Sequence, residues 1–242
     1  MIITKVSSNI LGMNDSVEIR APSASVGDYL KAIWEASGEG TASTKDVAVR
    51  LSVSPASVTN MFARLREMDL VEYERYRGAS LTELGRSQAL RLVRRHRLIE
   101  TFLLEHLGYD WQEVHEEAER LEHAVSDGFT ERLAEFLGHP GRDPHGDPIP
   151  TPEGALEADD SSPLGEAEPG AWVRIYKVSD ESTGTLDHLG GHGLVPGRLL
   201  YVEEIRVVDG VVTVRDEDGE THALGDSLSR SVFVRNEPRP RS

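Results

Sequence analysis

The 242-residue chain is 38% hydrophobic and 28% charged, which suits one to three small domains with buried cores. It contains no cysteine, which excludes disulfides, zinc ribbons, iron–sulfur clusters and thiol nucleophiles, so nitrogen and oxygen must hold any metal. The net charge of -16 is segregated: residues 41–100 carry 11 basic and 7 acidic side chains, whereas residues 101–168 carry 3 and 18. A basic block beside an acidic block indicates different roles for the two.

The N-terminal residues carry no recognisable targeting signal. Residues 1–22 are mixed and polar, without the basic start and apolar core of a signal peptide, and are predicted to form a loose extension. No run of about 18 apolar residues occurs anywhere in the sequence. We therefore expect a cytoplasmic protein that has no membrane partner.

The first predicted helix begins near Val26. Its apolar residues recur at spacings of three and four, and Ser25 can cap its start. Asp28 falls in the predicted first turn, where the helix dipole favours a carboxylate. By pattern alone, Asp28 needs no other role.

Residues 44–67 predict two short helices joined by a tight turn. The first spans residues 44–51, and the second begins at Pro55 behind Ser54, a good capping residue. This is the helix-turn-helix arrangement; the alternative is an ordinary helical hairpin with a polar outer face. The predicted buried face of the second helix consists of Val58, Met61, Phe62, Leu65 and Met68. The side chains expected to reach bases or phosphates are Ser54, Ser57, Thr59, Asn60 and Arg64.

Two short strands are predicted next, over residues 71–75 and 79–82, around a basic turn. A basic hairpin behind a recognition helix forms a wing, and Arg75 and Arg77 are placed to meet phosphates. The hairpin favours a winged helix-turn-helix over a plain helical hairpin.

Three more helices should follow the wing. The first runs from a Thr82 cap to about His106 and stops at Gly108; the second starts at an Asp110 cap, and the third covers residues 127–137. The third helix has apolar residues spaced for packing against its own domain or a second subunit, namely Phe129, Leu133, Phe136 and Leu137.

The second of these helices carries a spacing typical of metal ligands. Two imidazoles and two carboxylates fall at i, i+4, i+7 and i+8 on one helical face: His115, Glu119, Glu122 and His123. Inward-facing Glu-x-x-His pairs bind metal in helix bundles. His96 and Glu100, at i and i+4 of the preceding helix, form a second pair. The alternative is a solvated acidic face with a purely structural role.

The remaining sequence changes character twice. Residues 139–150 are too rich in proline and glycine for regular structure, and residues 151–169 have the composition of a linker. Five short β-branched runs then predict a small antiparallel barrel, with Asp209-Gly210 as a hairpin turn. The predicted strands cover residues 173–176, 199–207, 211–215, 221–224 and 232–235.

The order of these features resembles the diphtheria toxin repressor family of metal-dependent transcriptional regulators. The resemblance spans residues 23–236 and rests on the winged helix, on LVRRHRLIETFLLEHLGY and VHEEAERLEHAVSD, and on HPGRDPHGDPIP. It implies a mainly α fold with a small β domain: an N-terminal winged helix-turn-helix, a helical metal-binding and dimerisation domain, and a C-terminal SH3-like, FeoA-like β-barrel. The implied segments are residues 1–22 (extension), 23–88, 89–150, 151–169 (linker), 170–236 and 237–242 (tail).

The resemblance also implies metal sites. The primary site would use Asp28, Glu119, Glu122 and His123. The ancillary site would use His96, Glu100 and His115 with ligands from the barrel, for which the candidates are Asp180, Glu181, Asp187 and His188.

Residue types within the resemblance bear on the metal. Iron-sensing relatives carry Met and Cys where Asp28 and Glu119 stand, so this oxygen-rich set favours Mn2+ over Fe2+. Lys31 stands where manganese regulators with a two-ion cluster often carry Glu. One primary and one ancillary ion per chain are therefore expected.

The implied function is a homodimeric, manganese-dependent repressor that binds double-stranded operator DNA of metal-uptake genes and is not an enzyme. Metal would fix the two recognition helices about 34 Å apart, the spacing of successive major grooves. An iron-dependent repressor of the same family is one alternative. A carboxylate-bridged helical metalloenzyme is another, but it needs two Glu-x-x-His helices and this chain supplies one.

Overall fold

The structure, a computed structural model, describes residues 23–38, 40–179, 183–206 and 208–239. The predicted extension, residues 1–22, lies outside the described residues. Within the described ranges, no helix combines the length and the apolar character needed to cross a membrane.

The N-terminal domain consists of three helices and a hairpin: α1 (Ala24–Ser37), α2 (Thr44–Arg50), α3 (Pro55–Glu67), β1 (Val71–Glu74) and β2 (Gly78–Leu81). The two strands are antiparallel, with Val71 opposite Leu81. The core between the helices contains fully buried apolar side chains, among them Leu30, Ile33, Val58, Phe62 and Leu65. The helix-turn-helix and the hairpin thus occur where the sequence predicts them.

Two details of this domain differ from the prediction. α1 begins at Ala24 behind Ser23 rather than behind Ser25, so Asp28 is the fifth residue of the helix and lies beyond its first turn. Met68, predicted to be buried, is 42% exposed because α3 ends at Glu67 and Met68 follows as its C-cap.

The long helix α4 (Glu83–Leu107) follows the wing. As predicted, Thr82 caps its start by accepting a hydrogen bond from Gly85 N, and Gly108 ends it in the left-handed conformation with φ 71°. Gly85 is required, because a Cβ atom there would lie 1.9 Å from the Leu70 carbonyl oxygen. This close approach fixes the start of α4 against the segment that leads into β1.

Two shorter helices, α5 (Val114–Leu121) and α6 (Asp127–Phe136), pack against α4. α5 is shorter than predicted, because a turn separates Asp110 from Val114 and Asp110 is therefore not its cap. Glu122 and His123 lie in the turn behind α5. The four predicted ligands of this region consequently do not form a single helical face.

The outer edge of α6 is apolar and exposed in a single chain. Leu133 is buried, but Phe129 is 47% and Phe136 is 64% exposed. The Phe136 ring lies beside Phe102 and His106 of α4, with centroid distances of 6.0 Å and 4.9 Å. These side chains form an apolar edge along α4 and α6.

Residues 139–150 form no helix or regular strand, as predicted. Hydrogen bonds to a side chain of the segment stabilise its backbone conformation. Asp143 Oδ1 accepts hydrogen bonds from the backbone N atoms of His145 and Asp147, both at 2.9 Å. The His145 carbonyl oxygen accepts a hydrogen bond from Val178 N at 2.8 Å. The segment therefore lies between the helical domain and the C-terminal domain.

The C-terminal domain is an antiparallel sheet with two short α-helices and a one-turn 3-10 helix at Leu164–Glu166. Its elements are β3 (Ser162–Pro163), β4 (Trp172–Val178), α7 (Thr183–Gly191), β5 (Leu199–Arg206), β6 (Val211–Asp216), β7 (Thr221–Leu224), α8 (Asp226–Ser231) and β8 (Val232–Glu237). The strand order is β3-β8-β4-β5-β6-β7, so β3 and β7 are edges. In the described part of the chain, the sheet is not the closed barrel that the sequence predicts.

The helices of this domain are absent from the prediction. Their sequences, TGTLDHLGG and DSLSRS, are short and rich in residues of low helix propensity. Burial of Leu186 and Leu189 against the sheet stabilises α7. The segment predicted as a linker also contains β3 and buries Leu164 completely, so its linker character ends before Ser162.

Candidate metal centre

The first candidate centre joins α1 to the turn behind α5. His123 Nε2 lies 2.6 Å from Asp28 Oδ1 and 3.5 Å from Glu122 Oε1. Potential ligand atoms of these three side chains all lie within 4.8 Å of one another. Burial raises the pKa of the Asp28 carboxyl, and the neighbouring His123 partly offsets this effect. We call Asp28, Glu122 and His123 cluster 1.

Gly27 permits the close approach of α1 to His123. A Cβ atom at this position would lie 3.2 Å from His123 Cε1 and 3.2 Å from Leu92 Cδ2, which is tighter than ordinary van der Waals contact. Any larger residue would therefore require His123 or Leu92 to shift.

Lys31 fills the space beside cluster 1. Its Nζ donates to Glu119 Oε1 at 2.7 Å and to Glu122 Oε2 at 3.2 Å, and it lies 3.2 Å from His96 Nδ1. Burial by itself would lower the pKa of Lys31, but Glu122 and Glu119 outweigh burial and raise the pKa above its usual value. Burial likewise would raise the pKa of Glu119, but Lys31 lowers it. Lys31 is therefore an ammonium and Glu119 a carboxylate.

The second candidate centre lies between α4 and α5. Glu100 Oε1 is 2.9 Å from His96 Nε2 and 3.1 Å from His115 Nδ1, and the two imidazole nitrogens are 3.2 Å apart. Burial would lower the pKa of His96, but the Glu100 carboxylate, together with hydrogen bonds to Glu100 and Glu122, raises it to about 9. Burial would raise the pKa of Glu100, but His96 and His115 hold it well below its usual value. We call His96, Glu100 and His115 cluster 2.

Two side chains that the sequence pattern does not single out lie beside cluster 2. His145 Nδ1 is 3.9 Å from Glu100 Oε1, and Asp143 forms a further candidate metal group with them. His145 Nε2 lies 3.1 Å from the Trp111 carbonyl oxygen. A carbonyl can only accept, so Nε2 carries a proton, and in the neutral imidazole the Nδ1 lone pair faces the cluster. The signal in the sequence was Asp-Pro-His-Gly, which puts a carboxylate and an imidazole in one irregular segment.

The residues of these groups fit a divalent cation. Among the described residues, Glu100 Oε2, Glu122 Oε1 and His145 Nδ1 are buried side-chain atoms that have no hydrogen-bond partner. Each unsatisfied buried group costs about 1–3 kcal/mol, and metal ligation would remove that cost. Every donor is a carboxylate oxygen or an imidazole nitrogen, a set that suits first-row divalent ions.

Most of the predicted ligands lie close together, but the structure groups them differently from the predicted primary and ancillary sites. Of the predicted primary set, Asp28, Glu122 and His123 form cluster 1, whereas Glu119 faces Lys31. All three members of the predicted ancillary set form cluster 2.

The predicted ligands from the C-terminal domain do not join these clusters within the described residues. Asp187 and His188 are exposed on α7 and belong to no candidate metal group in that part of the chain. Asp180 and Glu181 lie outside the described residues.

The predicted DNA-contacting side chains are all exposed, namely Ser54, Ser57, Thr59, Asn60, Arg64, Arg75 and Arg77. Ser54 Oγ accepts a hydrogen bond from Ser57 N at 3.2 Å and lies 2.9 Å from Ser57 Oγ, so both hydroxyls are engaged at the start of α3. Thr59 Oγ1 donates to the Pro55 carbonyl oxygen at 3.0 Å. Ser54 is therefore first of all the cap of α3, as the sequence predicts.

The wing exposes its basic side chains at the hairpin turn. Arg77 Nη1 donates to Glu74 Oε2 at 3.0 Å, and the Arg75 guanidinium lies 5.1 Å from the centroid of the Tyr76 ring. Tyr76 is 92% exposed. The wing thus presents cationic and aromatic groups to solvent.

Three family descriptions match consecutive parts of the chain. Residues 23–79 match "Iron dependent repressor, N-terminal DNA binding domain", and residues 82–151 match "Iron dependent repressor, metal binding and dimerisation domain". Residues 162–236 match the FeoA domain.

Two curated relatives match over most of their length. The iron-dependent repressor IdeR of Mycobacterium tuberculosis is 31% identical over 222 residues, which cover 85% of this chain and 94% of IdeR. The diphtheria toxin repressor of Corynebacterium glutamicum is 37% identical over 220 residues, which cover 85% of this chain and 93% of that protein.

Solved structures that resemble this chain are also metal-dependent regulators. A manganese-dependent transcriptional repressor in complex with manganese has a TM-score of 0.82 at 38% identity, and the match covers 88% of this chain and 100% of that one. The manganese regulator SloR has a TM-score of 0.74 at 34% identity, covering 89% and 99%. These relatives are transcriptional regulators and not enzymes. The chain therefore belongs to the diphtheria toxin repressor family of metal-dependent transcriptional repressors.

Proposed function

We propose that this chain is a manganese-dependent, homodimeric repressor of metal-uptake genes, which binds double-stranded operator DNA only when cluster 1 is loaded. The observation that carries the proposal is the origin of the ligands in cluster 1. Asp28 comes from α1 of the DNA-binding domain, whereas Glu122 and His123 come from the turn behind α5. Through Asp28, the metal-binding region can therefore set the orientation of the domain that contains α3.

The primary site comprises Asp28, Glu122 and His123, with Glu119 as its fourth member. Glu119 faces Lys31, but it is close enough to Asp28 to contribute to the raised pKa of that carboxyl. When bound, a divalent ion supplies the positive charge that lets these neighbouring carboxylates stay ionised together. In its absence, the repulsion between these carboxylates is offset by the Lys31 ammonium, which contacts Glu119 and Glu122 but not Asp28.

The ancillary site comprises His96, Glu100 and His115, and we add His145 and Asp143 to it. Support for the addition comes from the buried Nδ1 of His145, which lacks a hydrogen-bond partner and lies 3.9 Å from Glu100 Oε1. The carbonyl group of His145 also bonds to Val178 of β4. The ancillary site therefore connects the helical domain to the C-terminal sheet. Each chain thus has two sites.

Manganese is the proposed physiological metal. The primary site offers three carboxylates, one imidazole and no sulfur, and oxygen-rich sets suit Mn2+. One similar structure is described as a manganese-dependent repressor in complex with manganese. IdeR is described as iron-dependent, so an iron-dependent repressor of the same family is the alternative.

The dimer is proposed to form through the apolar edge of α4 and α6. Exposed Phe129 and Phe136 would be covered by a second copy, and that region matches a metal-binding and dimerisation domain. Each chain then has a DNA-binding domain at residues 23–88, a helical domain at 89–150 and a C-terminal domain at 162–236. Residues 151–161 link the last two. Two copies of α3 would then enter successive major grooves about 34 Å apart.

DNA contact is assigned to the start of α3 and to the wing. Asn60 and Ser57 are suited to base edges, and Thr59 lies beside them on α3. Three exposed cations are suited to phosphates: Arg64, Arg75 and Arg77. Ser54 caps the end of α3 that would approach the DNA backbone.

The test is retention of genomic promoter fragments by the purified protein. The salt concentration is fixed, because the contribution of phosphate contacts to DNA affinity varies steeply with salt. The protein is incubated with chelator, Mn(II), Fe(II) or Zn(II). We expect a few fragments to be retained only with metal, and Mn(II) to act at the lowest free concentration. Equal retention with chelator and with metal would contradict the proposal, and activation by Fe(II) at a lower free concentration than Mn(II) would favour the iron-dependent alternative.

A further inference from the structure

Three histidine side chains meet on the C-terminal domain, outside clusters 1 and 2. His188 lies in the last turn of α7 and His192 follows four residues later, with a distance of 4.5 Å between their ring centroids. The ring of His222, on β7, lies 6.0 Å from that of His192 and nearly perpendicular to it. Histidines at i and i+4 share one face of a helix, a spacing found in zinc sites. We call these three residues the histidine group.

A buried carboxylate orients His222. Its Nε2 lies 3.0 Å from Asp216 Oδ2, and the Asp216 side chain is only 2% exposed. Asp216 is itself fixed, because it accepts hydrogen bonds from Arg198 and from the backbone N atoms of Asp218 and Glu220. A carboxylate can only accept, so His222 Nε2 carries a proton and Nδ1 has the lone pair in the neutral imidazole. A carboxylate on the outer nitrogen is the usual support of a metal-binding histidine.

A backbone carbonyl orients His192 in the same way. His192 Nδ1 lies 2.7 Å from the His188 carbonyl oxygen, so Nδ1 carries the proton and Nε2 has the lone pair in the neutral imidazole. The three side chains do not offer one nitrogen each within 4.8 Å of one another in this structure. His188 and His192 are exposed, however, and exposed side chains change rotamer within nanoseconds. A bound ion can therefore draw their rings toward His222.

The donors of the histidine group differ from those of cluster 1. Three imidazoles without a carboxylate suit Zn2+, Ni2+ and Cu2+, whereas carboxylate-rich sets suit Mn2+. Acidic side chains adjoin the group in the chain, since Asp187 precedes His188 and Glu220 lies two residues before His222. Their negative charge favours the approach of a dication.

We propose that His188, His192 and His222 form a third metal site, which binds one Zn2+ per chain in preference to Mn2+. His192 would ligate through Nε2 and His222 through Nδ1, and water would complete the tetrahedral set that zinc prefers. The ion would join the end of α7 to β7, which is an edge strand of the sheet. The site goes beyond the proposed function and does not depend on it.

The test counts Zn(II) per chain in the full-length protein and in the double variant His188→Gln/His192→Gln. Zn(II) also binds clusters 1 and 2, so the difference between the proteins reports on the histidine group. Equilibrium dialysis at a buffered free Zn(II) concentration, followed by elemental analysis, gives the counts. Both substituted side chains are exposed, so the core is not disturbed. We expect the double variant to bind one Zn(II) fewer per chain than the wild type.

The matched control is His106→Gln/His139→Asn, which also removes two exposed histidines. Asparagine is chosen at position 139 because it tolerates the positive φ of 56° found there. This control should bind as much Zn(II) as the wild type. An equal loss of Zn(II) in the control and in His188→Gln/His192→Gln would show adventitious binding by surface histidines and would overturn the site.

A second measurement needs no variant. Long-range 1H–15N correlation spectra of the wild type with 15N-labelled histidine show which ring nitrogen binds Zn(II). We expect ligation at His222 Nδ1 and His192 Nε2. Ring nitrogens of His222 that do not respond to Zn(II), or equal Zn(II) counts in the wild type and the double variant, would overturn the proposal.

The outcomes also separate this site from the proposed function. The double variant should retain promoter fragments with Mn(II) as the wild type does, because clusters 1 and 2 are intact. Failure of the histidine group to bind Zn(II) would leave the manganese-dependent function standing. A protein that retains DNA equally with chelator and with metal would contradict the proposed function and leave the zinc counts to decide the third site.

Discussion

Asp28 Oδ1 and His123 Nε2 are 2.6 Å apart, although the residues are 95 positions apart in the sequence. The two side chains are 41% and 26% exposed, and an ion pair of this exposure contributes only about 0–1 kcal/mol. Alone, it is a weak connection between α1 and the turn behind α5. Lys31, also on α1, adds a buried ion pair to Glu122 of this turn, so the switch depends on how much metal ligation by Asp28 and His123 strengthens a connection that already exists.

The raised pKa of His96 predicts opposite effects of pH on the metal-free and metal-bound protein. With a folded-state pKa of about 9 against an ordinary value of 6.5, protonated His96 stabilises the metal-free fold. That stabilisation is complete below about pH 6.5 and is lost as pH rises through about 9. Metal ligation needs the neutral imidazole, so Mn(II) affinity should rise over the same range, with release of protons.

These effects can be measured against a His96→Gln variant, which removes the titrating group. The Tm of the chelated wild type, relative to His96→Gln, should fall between pH 6.5 and 9. Titration calorimetry of Mn(II) in buffers of different ionisation enthalpy should show proton release in the wild type and less in the variant. A relative Tm that rises with pH would contradict the assignment of an imidazolium at His96.

His145→Gln tests the ancillary site. A glutamine amide can still donate to the Trp111 carbonyl oxygen but lacks the lone pair of Nδ1, so the backbone contact is kept and the ligand is lost. We expect the weaker of two Mn(II) affinities to fall at least about tenfold, with the other unchanged. His192→Ala, at an exposed histidine outside clusters 1 and 2, should change neither Mn(II) affinity. Unchanged affinities in His145→Gln would remove His145 from the site.

The sequence pattern predicted the elements of the N-terminal and helical domains well because their signals are local. The cap at Ser54, the stop at Gly108 and the basic hairpin each depend on a few neighbouring residues. The C-terminal domain was predicted less well. α7 and α8 have weak helix propensity and depend on tertiary burial, and whether a sheet closes is decided by how its edge strands are placed in space.

For the metal site too, the sequence indicated ligands that share a helix but not the contacts between distant segments. Helical spacing singled out His96, Glu100 and His115 as candidate ligands, and the structure places their side chains together. It did not reveal that α5 stops at Leu121, which puts His123 in a turn beside Asp28, or that Glu119, within α5, contacts Lys31. Nor could spacing reveal His145, which comes from a distant irregular segment and depends on the Trp111 carbonyl group for its orientation.

Arg64→Ala tests the DNA-binding surface. If Arg64 contacts a phosphate, its loss should weaken binding to all sequences about equally and reduce the slope of log affinity against log salt by about 1. The slope is measured by fluorescence anisotropy at several salt concentrations with saturating Mn(II). Arg230→Ala removes an exposed arginine from the C-terminal domain and should leave the slope unchanged. A slope that is the same in Arg64→Ala and the wild type would exclude the phosphate contact.

The most direct test of metal control is the affinity of wild type and Asp28→Asn for a promoter fragment retained by the wild type, with Mn(II) and with chelator. A coupling of about 1–3 kcal/mol corresponds to a gain of roughly 5- to 150-fold with metal. We predict such a gain for the wild type and for Asp209→Asn, an exposed aspartate in the C-terminal domain, and almost none for Asp28→Asn. An Asp28→Asn protein that keeps the full gain would contradict the claim that Asp28 connects the metal to DNA binding.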